Sequence, residues 1–227
     1  MTTSAAPTPR SRVRRNPVRA RYGREVVDAV LDVAPLAHVS WVADDGAPRV
    51  VPVLCARTDD VLVLHGSSAA AWAPAPGATK DLCVAVTLLD GLVLARSTFH
   101  HSANYRAVVV HGRGRRLDLG DDVERTRALR LLDVTVDHLV PGRSAHARGP
   151  SRRELAATCV VELPLDEASA KVREGGPVDD DEDLALDVWA GVLPLRTVVE
   201  APEPDAHVPA HRGAPAHVAG WTARWSA

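Results

Sequence analysis

The chain has 227 residues, of which 46% are hydrophobic and 25% are charged, and its formal net charge at pH 7 is −2. This composition is typical of a globular protein with one domain or at most two, and the balanced charge argues against a nucleic-acid partner. Because no apolar run approaches the roughly 20 residues that cross a bilayer, and no signal-peptide pattern is present, we predict a cytoplasmic protein that does not bind membranes.

The first half of the chain predicts a tail, a helix and an antiparallel meander. Residues 1–20 are rich in Thr, Ser, Pro and Arg and are expected to be a mobile tail. Apolar residues at helical spacing predict a short helix over residues 22–34, which Pro35 ends. Three runs rich in β-branched residues predict strands at residues 38–43, 48–56 and 61–65. The Ala-rich stretch that follows predicts a second short helix up to Ala75.

The second half predicts further strands around one long helix. Strands are expected at residues 82–89 and 91–96, and again at residues 105–117. The clearest helix covers residues 121–138; acidic residues mark its start, and Pro141-Gly142 ends it. A strand at residues 158–165 and a short element at residues 184–195 follow. Pro, Ala and His dominate residues 201–227, which we expect to form an extended arm.

Together these elements predict a mainly β protein of the α+β class. About six antiparallel strands follow one helix, and a second helix is inserted before the last strand. Closing the strands into a barrel removes the unpaired edges of the sheet. We therefore predict one barrel domain with flanking helices over residues 21–200, between the tail and the arm.

The densest polar cluster lies between predicted strands, at residues 96–106. Its polar side chains (His, Ser, Thr, Asn, Tyr and Arg) can hydrogen-bond a phosphate or the carbonyl group of a ring. Arg106 would bind the phosphate through two N–H groups of its guanidinium, or would contact the ring. His100, His101 and Tyr105 are the candidate catalytic proton donors, since histidine titrates nearest neutral pH. A solvated loop is the alternative; the length of the run and the apolar strands around it favour a site.

Two smaller clusters are further candidate sites. His65-Gly66-Ser67-Ser68 ends the third strand, where small residues let backbone N–H groups approach an anion, although an ordinary turn explains it equally. The other combines Lys171-Val172-Arg173 with Trp189, which either covers a planar ring or is a core residue at a strand end.

A metal site built from protein ligands is not predicted. The three cysteines are far apart and form no CxxC pattern. The adjacent His100 and His101 would point to opposite faces of a strand. Axial ligation of haem iron needs only one histidine, so haem stays open. The sequence lacks GxSxG, HExxH and Gly/Lys phosphate-loop motifs, which argues against a hydrolase.

Several motifs, in their order along the chain, carry a family resemblance. They are Leu64-His65-Gly66-Ser67, residues 87–96, Phe99-His100-His101-Ser102-Ala103-Asn104-Tyr105-Arg106, Pro141-Gly142-Arg143, Ala170-Lys171-Val172-Arg173 and Val188-Trp189-Ala190-Gly191-Val192-Leu193-Pro194. With these motifs the chain resembles the pyridoxamine 5′-phosphate oxidase-like proteins, in the branch that includes 5-nitroimidazole resistance proteins. The resemblance covers residues 21–204.

This resemblance implies a six-stranded antiparallel split β-barrel and a homodimer with two FMN sites at the subunit interface. It assigns FMN contacts to Arg49, to the turn His65-Gly66-Ser67-Ser68 and to the strand Asn104-Tyr105-Arg106. Lys171 and Trp189 would contribute from the C-terminal part. Pyridoxamine phosphate oxidases usually carry an Arg-Lys pair after the third strand to hold the FMN phosphate. This chain has Ser67-Ser68-Ala69-Ala70-Ala71 there, so the phosphate must be held elsewhere or more weakly.

Three functions follow, in order of preference. The first is an FMN-dependent oxidoreductase, of the nitroreductase kind, acting on a small planar molecule. The second is a protein that binds a flavin nucleotide for storage, sensing or delivery without turnover. The third is a haem-binding relative with His65, His100 or His101 as axial ligand, and deazaflavin F420 is a further alternative cofactor on this fold.

Overall fold

Strands dominate the computed structural model, which describes residues 7–221. The strands are β1 (Ala20–Arg21), β2 (Leu36–Val42), β3 (Pro48–Thr58), β4 (Val61–Ser67), β5 (Thr79–Leu94), β6 (Ser102–Arg116), β7 (Thr158–Pro164), β8 (Glu167–Arg173) and β9 (Gly191–Pro194). The α-helices are α1 (Arg24–Leu31), α2 (Asp122–Leu139), α3 (Arg152–Ala156) and α4 (Ala216–Ala219). Short 3-10 helices lie at Pro17–Arg19, Thr98–His100, Ser144–His146 and Asp181–Ala185.

Six strands form a closed ring. Their order is β2–β3–β4–β7–β6–β5, and β5 pairs again with β2. All these pairings are antiparallel. Strands β8 and β1 continue from β6 outside the ring, and β9 pairs with the end of β5. This is the split β-barrel that the sequence predicts.

The long hairpin of β5 and β6 is the largest piece of the ring. The two stretches predicted at residues 82–89 and 91–96 are one strand, and the register of the hairpin shifts between Leu89 and Gly91, where the two stretches meet. Asp90 is the extra residue at this β-bulge. A Cβ on Gly91 would lie 3.1 Å from the backbone oxygen of Leu193, so the close approach of β9 favours glycine at this position.

Strand β4 is buried on both faces. Leu62 and Leu64 point into the main core inside the ring, whereas Val63 belongs to a second cluster with Leu117 and Leu131. Helix α2 supplies that second layer. Its start is fixed by Asp121, whose side chain accepts hydrogen bonds from the backbone N–H groups of the next turn at 3.0 and 2.9 Å.

The outer face of β2 and of the first part of β3 carries exposed apolar side chains that no other part of residues 7–221 covers. Leu36 lies opposite Leu54 in the register. These two side chains are 44% and 37% exposed, and Val42 and Val50 on the same face are 65% and 60% exposed. A large apolar patch of this kind marks an interaction surface.

The helix predicted after His65 is wrong. Strand β4 continues to Ser67, and residues 68–78, which we call the linking segment, follow as a series of turns. Pro74 and Pro76 explain the difference, because each lacks a backbone N–H and disfavours helical geometry in the residue before it.

Described segments near both ends of the chain contact other parts of the protein. Within the predicted tail, Thr8 and Ser11 hydrogen-bond each other and Ala20 pairs with Lys171 of β8. Within the predicted arm, the His217 ring of α4 stacks on His146 at 4.2 Å between centroids. Residues 1–6 and 222–227 of the tail and arm lie outside the described residues. Among the helices of residues 7–221, none combines the length and the hydropathy needed to cross a membrane.

Candidate functional site

A cavity of about 460 Å³ lies between β3, the end of β4 and the linking segment. We call it the histidine cavity. Its lining consists of Trp41, Val51, Pro52, Val53, Leu54, His65, Gly66, Ala70, Ala71 and Trp72. Among these lining residues His65 alone has a titratable side chain. The cavity therefore offers one imidazole in otherwise apolar surroundings.

His65 has an unsatisfied polar atom. Its Nδ1 is buried and has no hydrogen-bond partner among the described residues. Burial lowers the pKa of the imidazole below 6.5, so His65 is neutral at neutral pH. A buried polar atom without a partner costs free energy, and a ligand that contacts it would recover that cost. A neutral imidazole is also the form that binds metals.

Trp72 shapes the cavity through its contact with Gly66. A Cβ on Gly66 would lie 3.1 Å from Cζ2 of the Trp72 ring, so the ring packs directly on the glycine backbone. Trp72 is 5% exposed although it lies in an irregular segment. Gly66 thus allows the linking segment to come close to β4.

Two cations hold the linking segment against the sheet. Arg116 donates hydrogen bonds from Nη1 to the backbone oxygens of Ser68 at 3.1 Å and Pro74 at 3.3 Å. Lys80 donates from Nζ to the backbone oxygen of Ala71 at 2.8 Å. One wall of the cavity is therefore fixed by charged groups that lie outside its lining.

The turn at residues 65–68 offers few free backbone amides. The N–H of Ser68 donates to the backbone oxygen of Ala157 at 2.8 Å. The N–H groups of Ala69 and Ala70 donate to the side chain and the backbone oxygen of Ser67. These amides are engaged within the chain, so the expected phosphate contacts at this turn have no preformed donors there.

A second cavity, of about 640 Å³, lies beside the β-bulge. Its lining is Val33, Thr87, Leu88, Leu89, Asp90, Arg106, Pro194, Leu195, Arg196 and Thr197. Arg106 makes a two-point contact with Asp90, at 3.0 Å from Nε and 2.8 Å from Nη2, and this contact raises the pKa of Arg106. The guanidinium of Arg106, which the sequence predicts to hold a phosphate, thus binds a carboxylate of the same chain.

Three residues of the polar cluster at 96–106, namely Arg96, His100 and Asn104, bind residues 174–183, which we call the acidic loop. Asp179, whose side chain is 1% exposed, accepts hydrogen bonds from the backbone and the guanidinium of Arg96 at 3.0 and 2.9 Å. Burial of this carboxyl raises its pKa, but the hydrogen bonds from Arg96 outweigh burial and hold the pKa below its ordinary value. His100 Nε2 lies 3.2 Å from Asp180.

Asn104 and Arg173 hold the beginning of the same loop. The Asn104 amide donates to the backbone oxygen of Gly175 at 3.1 Å, and its oxygen accepts from Arg173. Arg173 is 6% exposed and also donates to the backbone oxygens of Gly175 and Gly176. Asn104 thus has a structural role that its sequence context did not reveal.

The other predicted site residues are dispersed. His101 Nδ1 lies 3.0 Å from the backbone oxygen of Ser97, and Tyr105 lies opposite Arg173 in the register. Arg49 is exposed and pairs with Asp45 at 2.9 Å. Lys171 lies on β8, outside the ring, and Trp189 is 65% exposed before β9. The structure brings His65 and Gly66 into one cavity and places Arg106 in the other.

One group of possible metal ligands occurs within residues 7–221. Ligand atoms of His100, Asp180 and Asp183 lie within 4.8 Å of one another at the surface. Exposed acidic groups often lie this close without binding an ion, so this grouping does not by itself define a metal site.

Sequence reasoning missed much of the histidine cavity. Trp41, Trp72 and the β3 residues at positions 51–54 were not among the candidates, and neither was Lys80. The available signal was Trp72 itself, since it is a rare aromatic residue within an Ala- and Pro-rich stretch. Because a helix was predicted over this stretch, Trp72 was not considered as a site residue.

The closed six-stranded ring, with β8 and β9 outside it, defines a protein of the split-barrel class. A family model described as pyridoxamine 5′-phosphate oxidase matches residues 23–172. The chain therefore belongs to this flavin-binding family. A search of curated proteins found no match.

Two solved structures are similar to the chain over nearly its whole length. The flavocytochrome Anf3 from Azotobacter vinelandii is 40% identical, with a TM-score of 0.85, over 96% of this chain and 98% of that chain. The FAD and heme binding protein from Mycobacterium smegmatis is 38% identical, with a TM-score of 0.80, over 90% of this chain and 97% of that chain. A 5-nitroimidazole antibiotic resistance protein from Bacteroides thetaiotaomicron shares the fold, at 19% identity and a TM-score of 0.51, over 67% of this chain and 86% of that chain.

Proposed function

We propose that the protein is a flavocytochrome, which holds a haem and a flavin nucleotide and acts as an oxidoreductase on a small molecule. The imidazole of His65, which lines an otherwise apolar cavity and whose Nδ1 is buried without a partner among the described residues, is the observation that carries this proposal. The names of the two similar proteins support it, since one is a flavocytochrome and the other binds FAD and haem. A haem-binding protein was the third function considered from the sequence, and it is now the preferred one.

The residues of the histidine cavity fit a haem. A porphyrin needs apolar walls and a neutral nitrogen for its iron, and His65 with its apolar neighbours supplies both. The two other candidate ligands are already engaged, His100 with Asp180 and His101 with the backbone oxygen of Ser97. When bound, haem iron exchanges single electrons and a flavin exchanges one or two. The role of the protein residues is to bind and orient these groups and to exclude water from them.

The flavin nucleotide is the second part of the proposal. Arg49 and Trp189 are exposed and Lys171 is half-buried, and these three remain candidate contacts, although Arg49 pairs with the exposed Asp45. Asn104 and Arg106 are bound to Gly175 and Asp90 of the same chain. FAD is preferred over the predicted FMN because a similar protein is named for FAD and because this chain lacks the Arg-Lys pair. The adenosine part of FAD would add contacts that replace that pair.

A second copy of the chain is the proposed cover for the outer face of β2 and β3. Helix α2 packs on the outer face of β4, but within residues 7–221 no such layer lies on Leu36, Val42, Val50 and Leu54. The histidine cavity borders this face, because Val51–Leu54 of β3 line it. A homodimer would thus bury the patch and narrow the opening of the cavity.

The test is the absorption spectrum of the purified protein supplied with haem and FAD, with excess removed. We expect a Soret band, flavin bands, FAD on release by denaturation, and a sedimentation mass of twice 24.2 kDa. His65→Ala should lose the Soret band, while His100→Ala and His101→Ala keep it. Flavin without haem would instead support the predicted flavin enzyme or carrier. A Soret band unaffected by His65→Ala would refute the assignment of the ligand.

A further inference from the structure

A single lysine lies at the rim of the histidine cavity. Lys80 is the second residue of β5, and its Nζ lies 5.8 Å from the centre of the Trp41 ring. The same Nζ donates to the backbone oxygen of Ala71 at 2.8 Å. Trp41 and Ala71 both line the cavity. Contacts with two lining residues thus fix the position of the ammonium group.

This ammonium has no carboxylate partner. No ion pair within residues 7–221 includes Lys80, and the lining of the cavity contains neither Asp nor Glu. The adjacent carboxylate, Asp81, points to the other face of the strand and pairs with Arg10 at 3.5 Å. An ammonium has three N–H donors, and the contact with Ala71 uses one of them. Two donors and a full positive charge therefore remain for a ligand.

Arg116 is less suited than Lys80 to bind an anionic ligand. It also forms no ion pair among residues 7–221, but its Nη1 donates to the backbone oxygens of Ser68 and Pro74. Its role is to hold the linking segment. Lys80 differs because it lies against lining residues and has donors to spare.

We propose that Lys80 binds a carboxylate at the edge of the ligand in the histidine cavity. This inference rests on the proposed function and narrows it: the ligand is a flat apolar molecule with anionic side groups, and Lys80 sets which edge faces the solvent. The apolar ring would lie among the tryptophans and the β3 residues with His65 at its centre. The charged edge would remain at the rim, where a half-buried ammonium forms a charge-assisted hydrogen bond without full desolvation.

The test compares haem with haem dimethyl ester, in which both carboxylates are masked. The full-length apoprotein is titrated with each compound, and the Soret shift gives the dissociation constants. We expect the natural chain to bind haem about tenfold more tightly than the ester, the size of one charge-assisted hydrogen bond. Lys80→Met should bind both compounds with the affinity that the natural chain has for the ester.

Arg113→Met is the matched control. Arg113 is exposed, lies opposite Asp81 on the same hairpin and also loses one positive charge on substitution, so it should keep the tenfold preference. If Lys80→Met keeps the tenfold preference for haem, the inference is overturned. It is also overturned if the natural chain binds haem and the ester with equal affinity, a result that can be obtained without any variant. A natural chain that binds neither compound would overturn the proposed function as well.

Discussion

The histidine cavity and the acidic loop differ in how their polar side chains are engaged. At the acidic loop, Arg96, Asn104 and Arg173 each hydrogen-bond residues of the loop, and only Nε of Arg96 and Nε of Arg173 are left without a partner among the described residues. The lining of the histidine cavity has a single titratable side chain, His65, whose buried Nδ1 makes no hydrogen bond within the described part of the chain, and Lys80 at its rim forms no ion pair among residues 7–221. Satisfied polar groups fix a structure, whereas unsatisfied ones inside an apolar wall are available to a ligand.

The density of polar residues in one run of sequence therefore has an explanation in contacts within the chain. The run at residues 96–106 attracts attention because it is long and lies between apolar strands. Its length reflects the need to hold another loop some 80 residues further along the chain, as the contact between Arg96 and Asp179 shows. The following experiments separate the two regions by asking which one affects stability and which one affects binding.

The largest expected effect on stability is at Asn104. Asn104→Ala removes the oxygen that accepts a buried hydrogen bond from Arg173 and the N–H that donates a partly buried one to the backbone oxygen of Gly175. We expect the free energy of unfolding to fall by about 1–3 kcal/mol, measured by urea denaturation. The Soret and flavin bands should be retained in the folded protein. Loss of flavin with unchanged stability would instead restore Asn104 as a cofactor contact.

A smaller effect, on binding, is expected at Gly66. Gly66→Ala places a methyl group 3.1 Å from the Trp72 ring, which must move away from β4. We expect the dissociation constant of haem to rise by about tenfold, equal to about 1.4 kcal/mol, in a Soret titration. Adding Trp72→Phe to the same chain should recover part of the affinity, because the smaller ring leaves room for the methyl. An unaltered affinity in Gly66→Ala would show that this wall is not part of the site.

The smallest effect concerns the pH dependence of the ligand-free protein. Burial lowers the pKa of His65 below the value of 6.5 that it has when unfolded. The unfolded chain therefore binds more protons as the pH falls below about 6.5, and stability decreases in that direction. His65→Gln cannot take up this proton, so it should lose less stability than the natural chain between pH 7.5 and 5.5. Parallel curves for the two proteins would contradict a buried neutral His65.

The sequence was sufficient for the barrel and for part of the site. Val-rich alternation predicts the ring strands, and the caps of α2 predict its start at Asp121. His65 and Gly66 were also predicted, because small residues after a strand are a local signal. Trp41 and Lys80 were not, because the contact between them depends on the pairing of β2 with β5, which are separated by two other strands along the chain. The partners of Asn104 and Arg106 are likewise invisible in local sequence.

The lining of the histidine cavity comes entirely from residues 41–72, although the ring closes only when β7 pairs with β4 about a hundred residues later in the chain. During synthesis, the three strands of this meander leave the ribosome together and can pair locally. Until β7 emerges, β4 has an open edge next to His65, and an open edge is the part of a nascent sheet most prone to pair with another chain. The residues that line the cavity are thus synthesised first, and β7, which closes the ring around them, is synthesised later.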